Sequence, residues 1–162
     1  MNTLIIYDSA FGNTQQIAGA ITSALQTSGT VRCLNVSEVH ALDTQGVDLL
    51  ILGCPTQLHG LAPAMRAFVE HLLDRSFEGL AVAVFDTRYR MSRLLSGSAS
   101  TVLANRLEKA GANLLLPAKS FFVVDREGPL EEGELERAER WTRQIIERFE
   151  MFHAQLAEKQ NA

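Results

Sequence analysis

"TLIIYDSAFGNT", residues 3–14, joins a run of apolar residues to a short polar turn. The run over residues 3–7 is short and almost continuously apolar, which is typical of a strand buried on both faces. Asn13 or Thr14 then caps a helix that ends before Gly29. The inner face of this helix carries apolar residues at helical spacing, namely Ile17, Ile21 and Leu25. The stretch therefore predicts a strand, a tight turn and a helix in direct succession.

Strand and helix patterns keep alternating along the rest of the chain. Further strands are predicted over residues 31–36, 48–53, 80–85 and 120–124. Further helices are predicted over residues 63–75, 99–111 and 133–152. Strands buried on both sides that alternate with helices indicate a parallel sheet with helices on both faces. The pattern predicts a doubly wound α/β fold with a five-stranded parallel sheet in the order 2-1-3-4-5.

Composition and length narrow the class of protein. The 162 residues fit one domain, 1–162, and we expect the tail after about residue 153 to fray. A net charge of −4 gives no reason to expect nucleic acid as a partner. Two isolated cysteines, Cys33 and Cys54, suggest neither a disulfide framework nor a zinc site. We expect no membrane span, no signal peptide and a cytoplasmic location, because the apolar runs are all too short.

Three loops are expected to meet at the carboxyl edge of this sheet, where ligands of such folds bind. They are residues 8–14 after the first strand, 54–63 after the third strand and 86–97 after the fourth. The first loop combines backbone N–H groups with the positive end of a helix dipole, and this arrangement favours an anion. Residues 1–64 nevertheless carry a single basic side chain, Arg32.

Because the first loop has no basic side chain, the kinds of anionic ligand that it could bind are limited. The loop has no Gly-Lys-Ser/Thr sequence and no three-glycine fingerprint, so neither a Walker-type nor a dinucleotide site is supported. What fits is a single phosphate held by neutral donors, with the side chains of Ser9, Asn13 and Thr14 added to the backbone. The alternative is that the turn only begins and caps the helix.

The three loops together resemble those of the flavodoxin family and its flavodoxin-like relatives. The phosphate turn of that family reads Ser/Thr-x-Thr/Ser-Gly-Asn-Thr, and residues 9–14 read SAFGNT. "GCPTQLHG", residues 53–60, is similar to the family's Gly-x-Pro-Thr loop, which lies against the flavin ring. "FDTRYRMSRLLSGSAS", residues 85–100, occupies the place of the loop on the other face of the ring. The resemblance covers essentially the whole chain, as a short form without a long insertion in the last strand.

The resemblance implies that the chain binds flavin mononucleotide (FMN) and transfers electrons through chemistry at N5 of the flavin ring. It implies neither a metal nor a separate catalytic residue. The cofactor-binding residues that it implies are Ser9, Ala10, Phe11, Gly12, Asn13, Thr14, Pro55, Thr56, Gln57, Leu58, His59, Gly60, Asp86, Thr87, Arg88 and Tyr89.

Several of these residues depart from the family pattern or have two interpretations. Phe11 replaces a hydroxyl residue, so one phosphate hydrogen bond is lost, and its ring either lies against the flavin or closes the phosphate site. Leu58 and His59 stand where the family often has an aromatic ring, which leaves Tyr89 as the obvious stacking residue. His59 either tunes the reduced flavin or is a surface histidine. Gly60 is expected to offer its carbonyl to N5 as the ring is reduced.

Arg88, Arg90 and Arg93 give the third loop a basic character that differs from the acidic rim of most flavodoxins. A basic loop favours an acidic redox partner protein or an anionic small-molecule electron acceptor. The alternative is a solvated loop whose arginines have no partner to bind. The chain itself is expected to be a monomer or a homodimer.

Two further functions are compatible with the sequence. One is an NAD(P)H-dependent FMN quinone or flavin reductase, although the chain has no independent nicotinamide-binding motif. The other is a flavodoxin-like binding domain with weak or lost FMN affinity, as Phe11 permits. A phospho-accepting receiver is excluded, because the third strand ends at Gly53 and Cys54 instead of a carboxylate.

Overall fold

The computed structural model describes residues 1–40, 45–57 and 60–160. The strands are β1 (Asn2–Tyr7), β2 (Thr30–Asn35), β3 (Leu49–Gln57), β4 (Gly60–Leu61), β5 (Ala81–Tyr89), β6 (Asn113–Leu114) and β7 (Lys119–Val123). The helices are α1 (Asn13–Leu25), α2 (Pro63–Leu73), α3 (Arg93–Ser96), α4 (Ala99–Lys109) and α5 (Glu134–Gln160). The backbone after residue 152 is helical in α5, and the fraying of this end stays a prediction. None of the described helices has the length and apolarity needed to cross a membrane.

The sheet has the order expected from the sequence. Its strands run β2-β1-β3-β5-β6, and each of these neighbours is parallel. The fifth position is divided between two strands, because β6 pairs with Ala81 and Val82 whereas β7 pairs with β5 from Phe85 onward. Pro117 lies between the two pieces and has no N–H group to donate to a strand partner. The doubly wound α/β fold is therefore confirmed, with the last strand interrupted.

Helices cover both faces of this sheet. On one face, α2 and α4 pack on strand residues that include Leu4, Leu50 and Val82. On the other face, α1 and α5 pack on the alternate residues, which include Ile5, Ile51 and Ala83. Neighbouring strand residues point to opposite faces, so strands covered on both sides must be apolar at every position. This requirement accounts for the continuous apolar runs in the sequence.

A close contact between β3 and β5 fixes the sheet beneath its carboxyl edge. Gly53 and Phe85 are register partners, and a Cβ atom on Gly53 would lie 2.1 Å from the Phe85 ring. Phe85 is fully buried and makes edge-to-face contacts with Phe121 and Trp141, with ring centroids 5.9 and 6.1 Å away. The ring has no room to move, and so glycine is required at position 53.

We predict that Gly53→Ala lowers the free energy of unfolding by about 1–3 kcal/mol, because the methyl group overpacks the core at Phe85. Gly19→Ala is the matched control, since Gly19 is exposed within α1 and a Cβ atom there meets no other atom within 4 Å. The control should raise the free energy by about 0.5–1 kcal/mol. Urea unfolding of both variants is the measurement, and equal stability of Gly53→Ala and the parent chain would contradict the contact.

Candidate cofactor site

A cavity of about 790 Å³ opens at the carboxyl edge of the sheet, where the three loops were expected to meet. Eleven of the residues expected at the site line it: Ser9, Ala10, Phe11, Asn13, Thr14, Pro55, Thr56, Gln57, Thr87, Arg88 and Tyr89. Five further lining residues were not expected: Met91, Leu95, Ser96, Val123 and Arg126. Two of these five, Val123 and Arg126, belong to a fourth segment that begins at the end of β7.

Five expected residues are not among those that line the cavity. Gly12 lies in the turn just before α1, and Gly60 lies in β4, which pairs with the end of β3. Asp86 is fully buried. Leu58 and His59 fall outside the described residues.

The turn before α1 presents backbone donors. Gly12 is the N-cap of α1 in a left-handed conformation with φ of 84°, so the expected cap at Asn13 or Thr14 is wrong, and glycine has no side chain to cap the helix. The N–H groups of a first helical turn have no acceptor within the helix. The Gln15 N–H donates to the Ser9 hydroxyl at 3.4 Å, and the other N–H groups of this turn are placed for a ligand. The side chains are less available than expected, because Asn13 Nδ2 donates to the Glu127 carbonyl at 3.1 Å. The Thr14 and Thr87 hydroxyls are 2.8 Å apart and hydrogen-bond to each other.

The charge and polarity of the wall suit a ligand with an anionic end and an apolar end. Among the described residues that line the cavity, two are arginines and none is a carboxylate. The apolar part of the wall is formed by Phe11, Pro55, Tyr89, Met91, Leu95 and Val123. Phe11 is 47% exposed, so its ring lies at the cavity wall and not in the core.

Asp86 connects the end of β3 to the start of α4 through the hydrogen bonds of its buried carboxylate. Its Oδ2 atom accepts hydrogen bonds from the Thr56 hydroxyl at 3.1 Å, the Ser98 hydroxyl at 2.8 Å and the Ser100 N–H at 3.0 Å. Thr56 in turn accepts from the Ala99 N–H at 2.9 Å. The other oxygen, Oδ1, is buried and has no hydrogen-bond partner in the described part of the chain. The carboxylate therefore lies at the positive end of α4 and holds β3 against that helix.

Arg88 is turned inward, contrary to the expectation of a partner-facing basic loop. It is 8% exposed, and its Nε donates to the Ser120 hydroxyl at 2.9 Å. One terminal nitrogen donates to the Met91 carbonyl and the Ser96 hydroxyl, both at 2.8 Å. Arg88 thus fastens the segment that carries α3 to the end of the sheet.

Arg90 is exposed but already paired. Its Nε lies 2.7 Å from a carboxylate oxygen of Glu131, and its guanidinium lies 4.2 Å from the centre of the Phe122 ring. Arg93 begins α3, and its side chain is outside the described part of the structure. The basic loop expected from Arg88, Arg90 and Arg93 is therefore reduced by one buried and one neutralised arginine.

Cys54 is a packing residue, as expected from the sequence. It is fully buried within β3, beside Asp86 in register. Burial raises the pKa of the Cys54 thiol, and the negative charge of Asp86 raises it further. The thiol is therefore a poor nucleophile.

We predict that Asp86→Asn lowers the free energy of unfolding by about 1–3 kcal/mol, because buried donors lose their charged acceptor. Asp74→Asn is the matched control, since Asp74 is exposed at the end of α2, and it should leave stability unchanged. Urea unfolding measures both variants, and hydrogen exchange at the Ser100 amide should accelerate only in Asp86→Asn. Unchanged stability and exchange in Asp86→Asn would refute this role.

Solved structures of other proteins share this fold. A flavodoxin from the domain Archaea superposes with a TM-score of 0.78 at 18% identity, over 93% of this chain and 99% of that chain. Flavodoxin 2 from Bacillus cereus superposes with a TM-score of 0.76 at 24% identity, over 91% of this chain and 99% of that chain. Rubredoxin oxygen:oxidoreductase from Desulfovibrio gigas gives a TM-score of 0.78 at 16% identity, and the match covers 94% of this chain but 37% of that protein.

Sequence comparison identifies the family. A flavodoxin from Picosynechococcus sp. is 34% identical over 82 residues, which are 50% of this chain and 48% of that protein. The chain thus matches about half the length of this relative. The family model described as flavodoxin matches residues 5–141, well over half of the chain. With its sheet order and the loops at the sheet edge, the chain belongs to the flavodoxin family.

Proposed function

We propose that this chain binds FMN in the cavity at the carboxyl edge of the sheet and carries electrons between redox partners in the cytoplasm. Members of the flavodoxin family bind FMN and transfer electrons to partner proteins. The observation that carries the proposal is the cavity itself, which joins the N-terminus of α1 to an apolar wall and is lined by no described carboxylate.

The residues present fit the cofactor at both of its ends. A phosphate needs donors without competing negative charge, and the turn over residues 9–14 supplies backbone N–H groups at a helix N-terminus. A flavin ring needs apolar surface, which Pro55, Tyr89 and Met91 supply on separate loops. FMN supplies the electron-transfer chemistry at its N5 atom when it is bound.

The chain has three tasks in this proposal: to bind, to orient and to exclude water. The first turn of α1 fixes the phosphate end, and the loops after β3 and β5 orient the ring. Asp86 and Arg88 keep these two loops in place from within the fold. Phe11 and Leu95, which line the cavity and are exposed, are placed to limit water at its mouth.

A reductase that acts on a small apolar acceptor is the second candidate. Large apolar side chains among the residues that line the cavity are exposed, and they include Tyr89, Met91 and Leu95. Such a wall suits an apolar acceptor such as a quinone better than a strongly charged one. Oxidation of NAD(P)H in the presence of a quinone, measured with the oligomeric state, distinguishes the reductase from an electron carrier.

The proposal is tested first by the binding of FMN to the purified chain. We expect the protein to quench the fluorescence of added FMN with a stoichiometry of one per chain and to be yellow when saturated. A protein that leaves FMN fluorescence unchanged at high concentration would contradict FMN binding. That result would instead favour a flavodoxin-like domain that has lost its cofactor.

We predict that Gly12→Ala raises the Kd for FMN about tenfold. A left-handed conformation costs a residue with a Cβ atom about 1–2 kcal/mol, so the turn relaxes and its N–H groups lose their alignment. The added Cβ atom meets nothing within 4 Å, which leaves this backbone strain as the cause.

Gly79→Ala is the matched control for Gly12→Ala. Gly79 also has positive φ, 73°, and also has open space around it, but it lies in the turn before β5, away from the cavity. Both variants should lose similar stability in urea, and only Gly12→Ala should lose FMN affinity. Equal FMN affinity in the two variants would contradict the role of the turn.

A further inference from the structure

The cavity contains a positive charge that the turn before α1 lacks. Arg126 follows β7 in the chain and lines the same cavity as Phe11 and Asn13. No sequence motif indicates this residue, because Arg126 is far along the chain from the turn over residues 9–14.

The segment that carries Arg126 is fixed against the start of α1. The Glu127 carbonyl accepts a hydrogen bond from Asn13 Nδ2 at 3.1 Å. Gly128 has a φ of 111°, and a Cβ atom there would lie 2.6 Å from Asn13 Oδ1, so only glycine permits this approach. The Arg126 N–H itself donates to Asp125 Oδ1 at 2.7 Å. Arg126 therefore stands on a segment packed against the first residue of the helix.

The positive charge of Arg126 is also available to a ligand, whereas the charges of Arg88 and Arg90 are engaged by other residues of the protein. Arg88 is buried in hydrogen bonds to Ser96 and Ser120, and Arg90 is paired with Glu131. No carboxylate of the described residues lies within 4.0 Å of the Arg126 guanidinium, and Arg126 is exposed. The nearest acidic residue in sequence, Asp125, directs one oxygen to the Arg126 backbone and to the Tyr89 hydroxyl, which is 3.4 Å away.

We propose that Arg126 binds the phosphate of FMN and makes the cavity select a phosphorylated flavin over an unphosphorylated one. The inference rests on the proposed function and adds a cation to a phosphate site otherwise made of neutral donors. A guanidinium forms charge-assisted hydrogen bonds to phosphate oxygens, and these bonds are stronger than those from neutral N–H groups. Arg126 is thus a specificity-determining residue that acts on the ligand's phosphate and not on the ring.

The test compares FMN with riboflavin, which has the same ring and no phosphate. Fluorescence quenching gives the Kd of each flavin for the parent chain, for Arg126→Gln and for Arg90→Gln. We expect Arg126→Gln to raise the Kd for FMN about tenfold, the range of one charge-assisted hydrogen bond, and to change the Kd for riboflavin less than about twofold. Arg126→Lys should recover part of the loss, and added salt should weaken FMN binding to the parent more than to Arg126→Gln.

Arg90→Gln is the matched control, because Arg90 is an exposed arginine near the same edge that is not among the residues lining the cavity. It should leave the ratio of the two dissociation constants unchanged. If Arg126→Gln weakened the binding of FMN and of riboflavin by the same factor, the inference would be overturned in favour of a contact between Arg126 and the flavin ring. An unchanged FMN Kd in that variant would overturn it while leaving FMN binding intact. Failure of the parent chain to bind either flavin would overturn the proposed function and this inference together.

Discussion

A single buried carboxylate oxygen, Asp86 Oδ2, determines how the loops of the cavity stand relative to one another. A charge with no exposure to water must be satisfied by hydrogen bonds from the protein. Here the donors come from Thr56 at the end of β3 and from Ser98 and Ser100 at the start of α4. The carboxylate therefore links β3 to the start of α4, and one of its donors, Thr56, is itself part of the cavity wall.

Arg88, two residues further along β5, has the complementary role. Its buried guanidinium is satisfied by carbonyl and hydroxyl oxygens of residues 89–96 and by Ser120 of β7. The segment with Met91 and Leu95 is held against the sheet although its own apolar side chains face the solvent at the cavity mouth. Two buried charges of opposite sign thus support a cavity whose wall has no carboxylate among the residues described. Such a wall leaves the binding of an anionic ligand to backbone donors and to Arg126.

The sequence was sufficient for the fold and for three of the four segments at the site, and the reasons are local. The patterns that predicted the fold are short-range: continuous apolar runs, apolar residues at helical spacing and the turn at Gly12. Each of them reflects directly the burial or the backbone conformation of the residues that form it. The inward turn of Arg88 depends on Ser120, and the place of Asp86 depends on Thr56 and Ser98. These partners are brought together only by strand register, so the sequence around each residue contains no sign of them. Pro117 in the sequence was a sign that the last strand is divided. The position of Arg126 beside the start of α1, in contrast, depends on the packing of Gly128 against Asn13.

In the proposed function the turn over residues 9–14, which has no basic side chain, holds the phosphate of FMN as a dianion. The phosphorus-31 resonance of FMN bound to the protein tests it directly when it is followed from about pH 5 to about pH 8, a range that contains the second pKa of a free phosphate monoester, about 6. Hydrogen bonds from the N–H groups at the start of α1, together with the guanidinium of Arg126, favour the charged form, so we expect a resonance that stays at the dianion position throughout. A bound resonance that titrates like that of free FMN would contradict it.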